Sequence, residues 1–166
     1  MFDQKAICSR CGGSCCKNVP GCNSPQDFNS KDDMLAAIKS GRYTIDYWHG
    51  DPRDDHEELD QVYFVRPAIK GNEGVLLDPA YGGECTFFKE GKGCQLPSDG
   101  RPFECRNLEP KWKKDGGCKA HTGRREVSIM WIEHQDVLAC LVDDDEAFSI
   151  TDKIHKIFEA TIKEAI

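Results

Sequence analysis

The chain has 166 residues, ten of them cysteine, and a net charge of −7. That length fits one domain with a core of its own. No Lys/Arg-rich block is interleaved with aromatics, which speaks against nucleic-acid binding, and no apolar run approaches bilayer-spanning length. So many cysteines leave two classes open, a secreted disulfide framework or intracellular metal binding. The opening MFDQKAICSR carries an acid at position 3 and lacks the basic start and apolar core of a secretory signal. The expectation is therefore a cytoplasmic metal-binding protein with no membrane segment.

In chain order, Ser30-Lys31-Asp32-Asp33 followed by MLAAIK and Gly41 predicts a capped helix, with acids in its first turn and glycine at its stop. YTIDYW (43–48) and QVYFVRPAI (61–69) are rich in β-branched and aromatic residues and predict strands, with GVLL (74–77) a third. FFKEGKGCQL predicts a hairpin with glycines in its turn, flanked by Cys85 and Cys94. Ser98 or Asp99 is placed to open a short helix with Pro102 in its first turn. Cys105 would then lie near a helix N-terminus, where partial positive charge lowers a thiol pKa. Val127, Trp131, His134, Leu138 and Leu141 follow the spacing of one apolar helix face, with His134 a core histidine. Ser149 to Asp152 reads as a capping box opening a second helix striped by Ile154, Ile157, Phe158 and Ile162. The expected fold is a small α+β domain over 1–166, cysteine-rich and metal-stapled, with little sheet. Residues 8–110 form its cysteine-cluster region, and a helical tail over 124–166 supplies two packing helices opposite the cysteine loops.

The cysteines fall into two groups, five between Cys8 and Cys22 and four between Cys85 and Cys118, with Cys140 alone. Cys8-x-x-Cys11 has the spacing that lets two thiolates grip one metal. Gly12 and Gly13 allow a tight turn and let backbone N–H groups approach sulfur. Cys15 and Cys16 are adjacent, so their side chains are expected to diverge. They would serve different sites, or one would ligate and the other lie buried as a small hydrophobe. Arg106 and Arg101 are candidates to offset thiolate charge.

Cys8-x-x-Cys11-Gly-Gly-x-Cys15-Cys16, Cys85-x-Phe-Phe, Gly93-Cys94-x-Leu-Pro and Arg101-Pro102-x-x-Cys105-Arg106 follow in order. This pattern resembles the YkgJ-type cysteine-cluster family, described as zinc- or iron-chelating. Its larger relatives include the flagellin lysine methylase, linked to a [4Fe-4S] cluster. The resemblance runs from about residue 8 to about 110 and implies metal ligation by Cys8, Cys11, Cys15, Cys16, Cys85, Cys94 and Cys105. Cys22 and Cys118 fall outside the pattern. The chain is much shorter than the methylase, so its enzymatic activity does not transfer.

Seven cysteines do not divide into closed four-ligand sites, and Cys22, Cys118 or His121 remain candidates to complete one. All-sulfur ligation suits both zinc and iron–sulfur centres. A single C-x-x-C followed by a crowded loop favours an iron–sulfur centre, and the resemblance implies a [4Fe-4S] cluster, with zinc the alternative. The expected roles are electron transfer or cluster-assisted methyl transfer. The alternatives are a structural zinc module that binds a protein partner, or a metal carrier or thiol-redox protein. The segments around Trp48 and Trp112 are candidate contact surfaces without a motif.

Overall fold

The computed structural model describes residues 12–79, 82–110, 118–120 and 123–143. Cys8, Cys11, His121, the loop around Trp112 and the expected helix from Ser149 lie outside the described residues, as do the side chains of 118–120. The fold is α+β with little sheet. Among the described residues there are three two-stranded antiparallel sheets and five short helices.

The main hairpin pairs β1 (Tyr43–His49) with β2 (Gln61–Pro67), in a register that sets Ile45 opposite Val65 and Asp46 opposite Phe64. Alternation puts Thr44, Asp46, Phe64 and Arg66 on one face, and Ile45, Tyr47, Tyr63 and Val65 on the other. Both faces are covered. Ile45, Val62, Phe64 and Val65 are fully buried, packed with Met34, Ile38, Val127, Trp131 and Leu138. Ahead of the hairpin comes α1 (Ser14–Asn18), then α2 (Lys31–Lys39). α2 starts where the sequence predicts. Ser30 Oγ accepts the Asp33 N–H at 3.1 Å, and Gly41 takes the left-handed turn after the helix at φ 82°. Residues 74–77 run beside β1 but form only one bridge, Ile45 to Leu77. Their backbone pairing with β1 is confined to Ile45, whose N–H donates to the Leu76 carbonyl at 2.8 Å and whose carbonyl accepts the Asp78 N–H at 2.9 Å, so the expected third strand does not extend.

The cysteine-bearing half continues through β3 (Phe88–Lys89), β4 (Gly93–Cys94), α3 (Phe103–Arg106), β5 (Leu108–Pro110) and β6 (Cys118–Ala120). β3 and β4 are the expected hairpin, with Phe88 opposite Cys94. The single helix expected over 127–141 is instead α4 (Arg124–Met130), a tight turn at Ile132–His134 and α5 (Gln135–Asp143). Side-chain anchors at the break account for the difference. The Trp131 indole donates to the Asn23 carbonyl at 2.7 Å. The Gln135 amide brackets the Tyr63 backbone, donating to its carbonyl and accepting its N–H, both at 2.8 Å. His134 is exposed, not in the core. The turn swings it outward, with its ring edge-on to Trp131 at 5.9 Å. Trp48 is partly buried and packs on the core.

Arg66 is fully buried on β2. Its Nε donates to Asp46 Oδ2 at 2.8 Å, and its other nitrogens reach the carbonyls of Pro67 and Asp78 at 3.1 and 2.5 Å. Asp78 Oδ2 stands 3.4 Å away, and Arg124 approaches Asp46 from α4 at 3.4 Å. One guanidinium thus ties both strands of the hairpin to the segment that returns along β1. Removing one partner of a buried pair strands the other charge. Arg66→Leu is expected to lower unfolding free energy by about 3–5 kcal/mol in a urea titration. A loss below about 1 kcal/mol, the range of exposed pairs, would show that this network does not hold the sheet.

Candidate functional site

Three separate stretches of chain deliver thiols to one place. Cys15 and Cys16 ride on α1, entered through Gly12 and Gly13 at φ 68° and 72°. Gly13 needs more than its left-handed backbone. A Cβ there would stand 2.2 Å from the Phe88 ring, so only glycine lets the helix start against β3. The Cys16 carbonyl accepts the Cys85 N–H at 2.7 Å, and the Asn18 carbonyl accepts that of Gly83 at 2.8 Å. This pins the second stretch, which carries Cys85 and Cys94, along α1.

The third stretch is α3. The turn at Ser98–Gly100 is separate, so the helix does not begin at Ser98 or Asp99; Pro102 caps it, and Cys105 is its third residue. Asp27 holds its start. One carboxylate oxygen accepts the Phe103 N–H at 2.8 Å and the Ser24 N–H at 2.9 Å, while the other accepts from Arg106. Residues 22 and 104 then bond reciprocally. Cys22 N–H donates to Glu104 Oε2 at 2.7 Å, and Glu104 N–H donates to the Cys22 carbonyl at 3.1 Å. This lays Gly21 directly on the third thiol, where a Cβ would fall 2.3 Å from Cys105 Sγ.

The result is a cavity of about 220 Å³ onto which Cys15, Cys16, Cys85, Cys94 and Cys105 all open. Pro20, Pro67, Leu96 and Leu108 form apolar walls, and Glu104 adds a carboxylate. Five of the seven expected ligands are thus brought together, and all five are free thiols. No group of three or more His, Cys, Asp or Glu side chains among the described residues is disposed to hold a metal ion. The described thiols surround open space; they do not close on a single point. Cys22 does not line the cavity. It is fully buried in the main core, as a small hydrophobe would be.

Cys15 and Cys16 share this one cavity, contrary to the expected divergence, because their thiols hydrogen-bond to each other. The Cys16 S–H donates to the Cys15 sulfur, which, against the opposing effect of burial and with help from backbone groups and the Arg101 charge, brings the Cys15 pKa down to about 6. The same bond, with burial and the neighbouring thiols, drives the Cys16 thiol far up. Burial pushes Cys85 up to about 11 and Cys105 well above the usual thiol range. The lowered pKa expected for Cys105 from its helix N-terminus is therefore reversed. α3 has four residues, Cys105 is in its third position, and desolvation dominates. The two arginines divide their tasks. Buried Arg101 acts on Cys15, and Arg106 pairs with Asp27.

Asp27, Glu104 and Gly21 were missed in reading the sequence. Pro20-Gly21 is an ordinary turn signal, and nothing local tells that Asp27 and Glu104 cap and clasp segments far along the chain. No family model, curated protein or solved structure matches the chain. Among the described residues no helix is long and apolar enough to cross a membrane.

The thiolate of Cys15 is present above its pKa of about 6 and lost as pH falls through it. On reduced, metal-free protein at pH 7, iodoacetamide is expected to label Cys15 well ahead of Cys16 and Cys22, with the preference fading as pH falls towards about 5. Mass spectrometry of the labelled peptides checks this; labelling of Cys16 ahead of Cys15 would reverse the direction of the hydrogen bond.

Proposed function

We propose that the protein holds a [4Fe-4S] cluster through cysteines drawn from Cys8, Cys11, Cys15, Cys16, Cys85, Cys94 and Cys105, and uses it in electron transfer or in assisting methyl transfer. The observation that carries this reading is the convergence of five thiols, from three chain segments, on one cavity of about 220 Å³. All-thiolate donors are the usual holders of such clusters. Zinc held by four thiolates at about 2.3 Å is the alternative centre for the same donors. The resemblance to the YkgJ-type family supports the cluster assignment.

The cluster would supply one-electron redox chemistry. The chain's own residues shape the space that would house it. Gly21 and Gly13 clear space where a side chain would intrude on Cys105 and Phe88. Arg101 offsets part of the thiolate charge, acting on Cys15. Pro20, Pro67, Leu96 and Leu108 give the cavity its apolar walls. Cys85 and Cys105 are held protonated by burial, so ligation releases their protons and uptake becomes pH-dependent. Reduced, unpaired thiols in this number suit a cytoplasmic setting.

Serine variants separate ligands from packing. Cys105→Ser is expected to lose most bound iron and sulfide after anaerobic reconstitution and to melt at a lower temperature. Cys22→Ser is expected to lower the melting temperature while keeping the metal. Full iron and sulfide in Cys105→Ser, or equal loss in both variants, would count against the assignment.

A further inference from the structure

Segment 22–27 is the joint between the main core and the third thiol-bearing stretch. On the core side, the Asn23 N–H donates to the Val65 carbonyl on β2 at 2.9 Å, and the Asn23 carbonyl accepts the Trp131 indole N–H at 2.7 Å. On the thiol side, Cys22 and Glu104 bond reciprocally, and Asp27 holds the start of α3. Asn23 and Ser24 lie at the centre of this joint and are 2% and 1% exposed. Asn23 Oδ1 and Ser24 Oγ are buried and have no hydrogen-bond partner among the described residues.

The groups around them leave no room for a local remedy. Asp27 Oδ2 already accepts three N–H groups, from Asn23 Nδ2 at 3.2 Å, Ser24 at 2.9 Å and Phe103 at 2.8 Å, and its other oxygen accepts from Arg106. Four donors use up the lone-pair sites of a carboxylate. Turning the Asn23 amide over would set its oxygen against that carboxylate and leave the NH2 group unbonded instead. The bonds of Asn23 to Val65 and Trp131 hold the segment against a swing to solvent. A buried amide oxygen and a buried hydroxyl left unbonded carry a desolvation penalty that nothing offsets.

We infer that Asn23 Oδ1 and Ser24 Oγ form the binding site of one internal water molecule, which donates to the amide oxygen and accepts the Ser24 O–H. Asn23 Nδ2 and the Ser24 N–H are tied to the same Asp27 oxygen, which keeps the two groups in one small space. A water bridges partners about 5 Å apart. A cation is a poorer occupant, because the Asp27 charge is already matched by Arg106. Neither residue lines the thiol cavity, so the site is separate from it and does not depend on the cluster assignment. The water completes the polar joint that fixes where α3, and with it Cys105, begins.

Two measurements test this: a crystal structure of the full-length protein at a resolution that orders internal waters, and thermal melting of Ser24→Ala. The expected density is one water within hydrogen-bond distance of both atoms. Ser24→Ala is expected to melt at a lower temperature, because the water loses a partner. A hydroxyl buried alone is a burden, and its removal would leave the melting temperature unchanged or raise it; either result would overturn the proposal. So would density with no peak touching both atoms, or a peak there with the coordination of a metal cation.

Discussion

Backbone hydrogen bonds between distant segments are the constraint on which the thiol cavity depends. Cys85 N–H to the Cys16 carbonyl, Glu104 N–H to the Cys22 carbonyl and Asn23 N–H to the Val65 carbonyl join pieces of chain that local structure does not bring near. Residues 22 and 104, which bond reciprocally, lie 82 positions apart. Closing such loops costs conformational entropy that a few hydrogen bonds, each worth about 1 kcal/mol net, repay only in part. The main core helps through Val65 and Cys22, which put the Asn23 and Glu104 bonds at its edge. A centre bound across the segments would add the remainder, so that metal affinity and folding become one quantity.

Buried charge does the orienting. Arg66 fixes the main hairpin by holding Asp46 and the backbone around Asp78, and the hairpin is the frame on which Tyr43 and Phe87 meet. Asp27 fixes the third thiol, because its carboxylate holds both the first N–H of α3 and Arg106. Neither device touches a sulfur. Each decides where a sulfur-bearing segment begins, which is how a chain with short, irregular elements keeps five thiols around one space. The adjacent pair Cys15 and Cys16 illustrates the consequence. Their shared hydrogen bond lowers the pKa of Cys15 and raises that of Cys16, although neither charged device acts on that bond directly.

Much of this was legible in the residues. Ser30 with two following acids set the start of α2, β-branched and aromatic runs set β1 and β2, and paired glycines set the turn between β3 and β4. The grouping of cysteines, together with Arg101-Pro102, pointed to metal ligation by thiols from both groups and left the number of sites open. What was not legible depended on distant partners. The break after Trp131 follows from Asn23 and Tyr63, which no helical periodicity records. Burial of Cys105 reverses the pKa shift that its place in a helix suggested, and the sequence around it does not show what covers it. Asp27 and Glu104 read locally as surface acids, and their work is done across the fold.

The central claim is that the thiol cavity houses an iron–sulfur cluster. Protein purified without oxygen tests it most directly, through its visible absorption spectrum together with iron, acid-labile sulfide and zinc per chain. The account predicts a broad visible band that bleaches on reduction, with iron and sulfide in equal amounts. A colourless protein with stoichiometric zinc and no sulfide would contradict it.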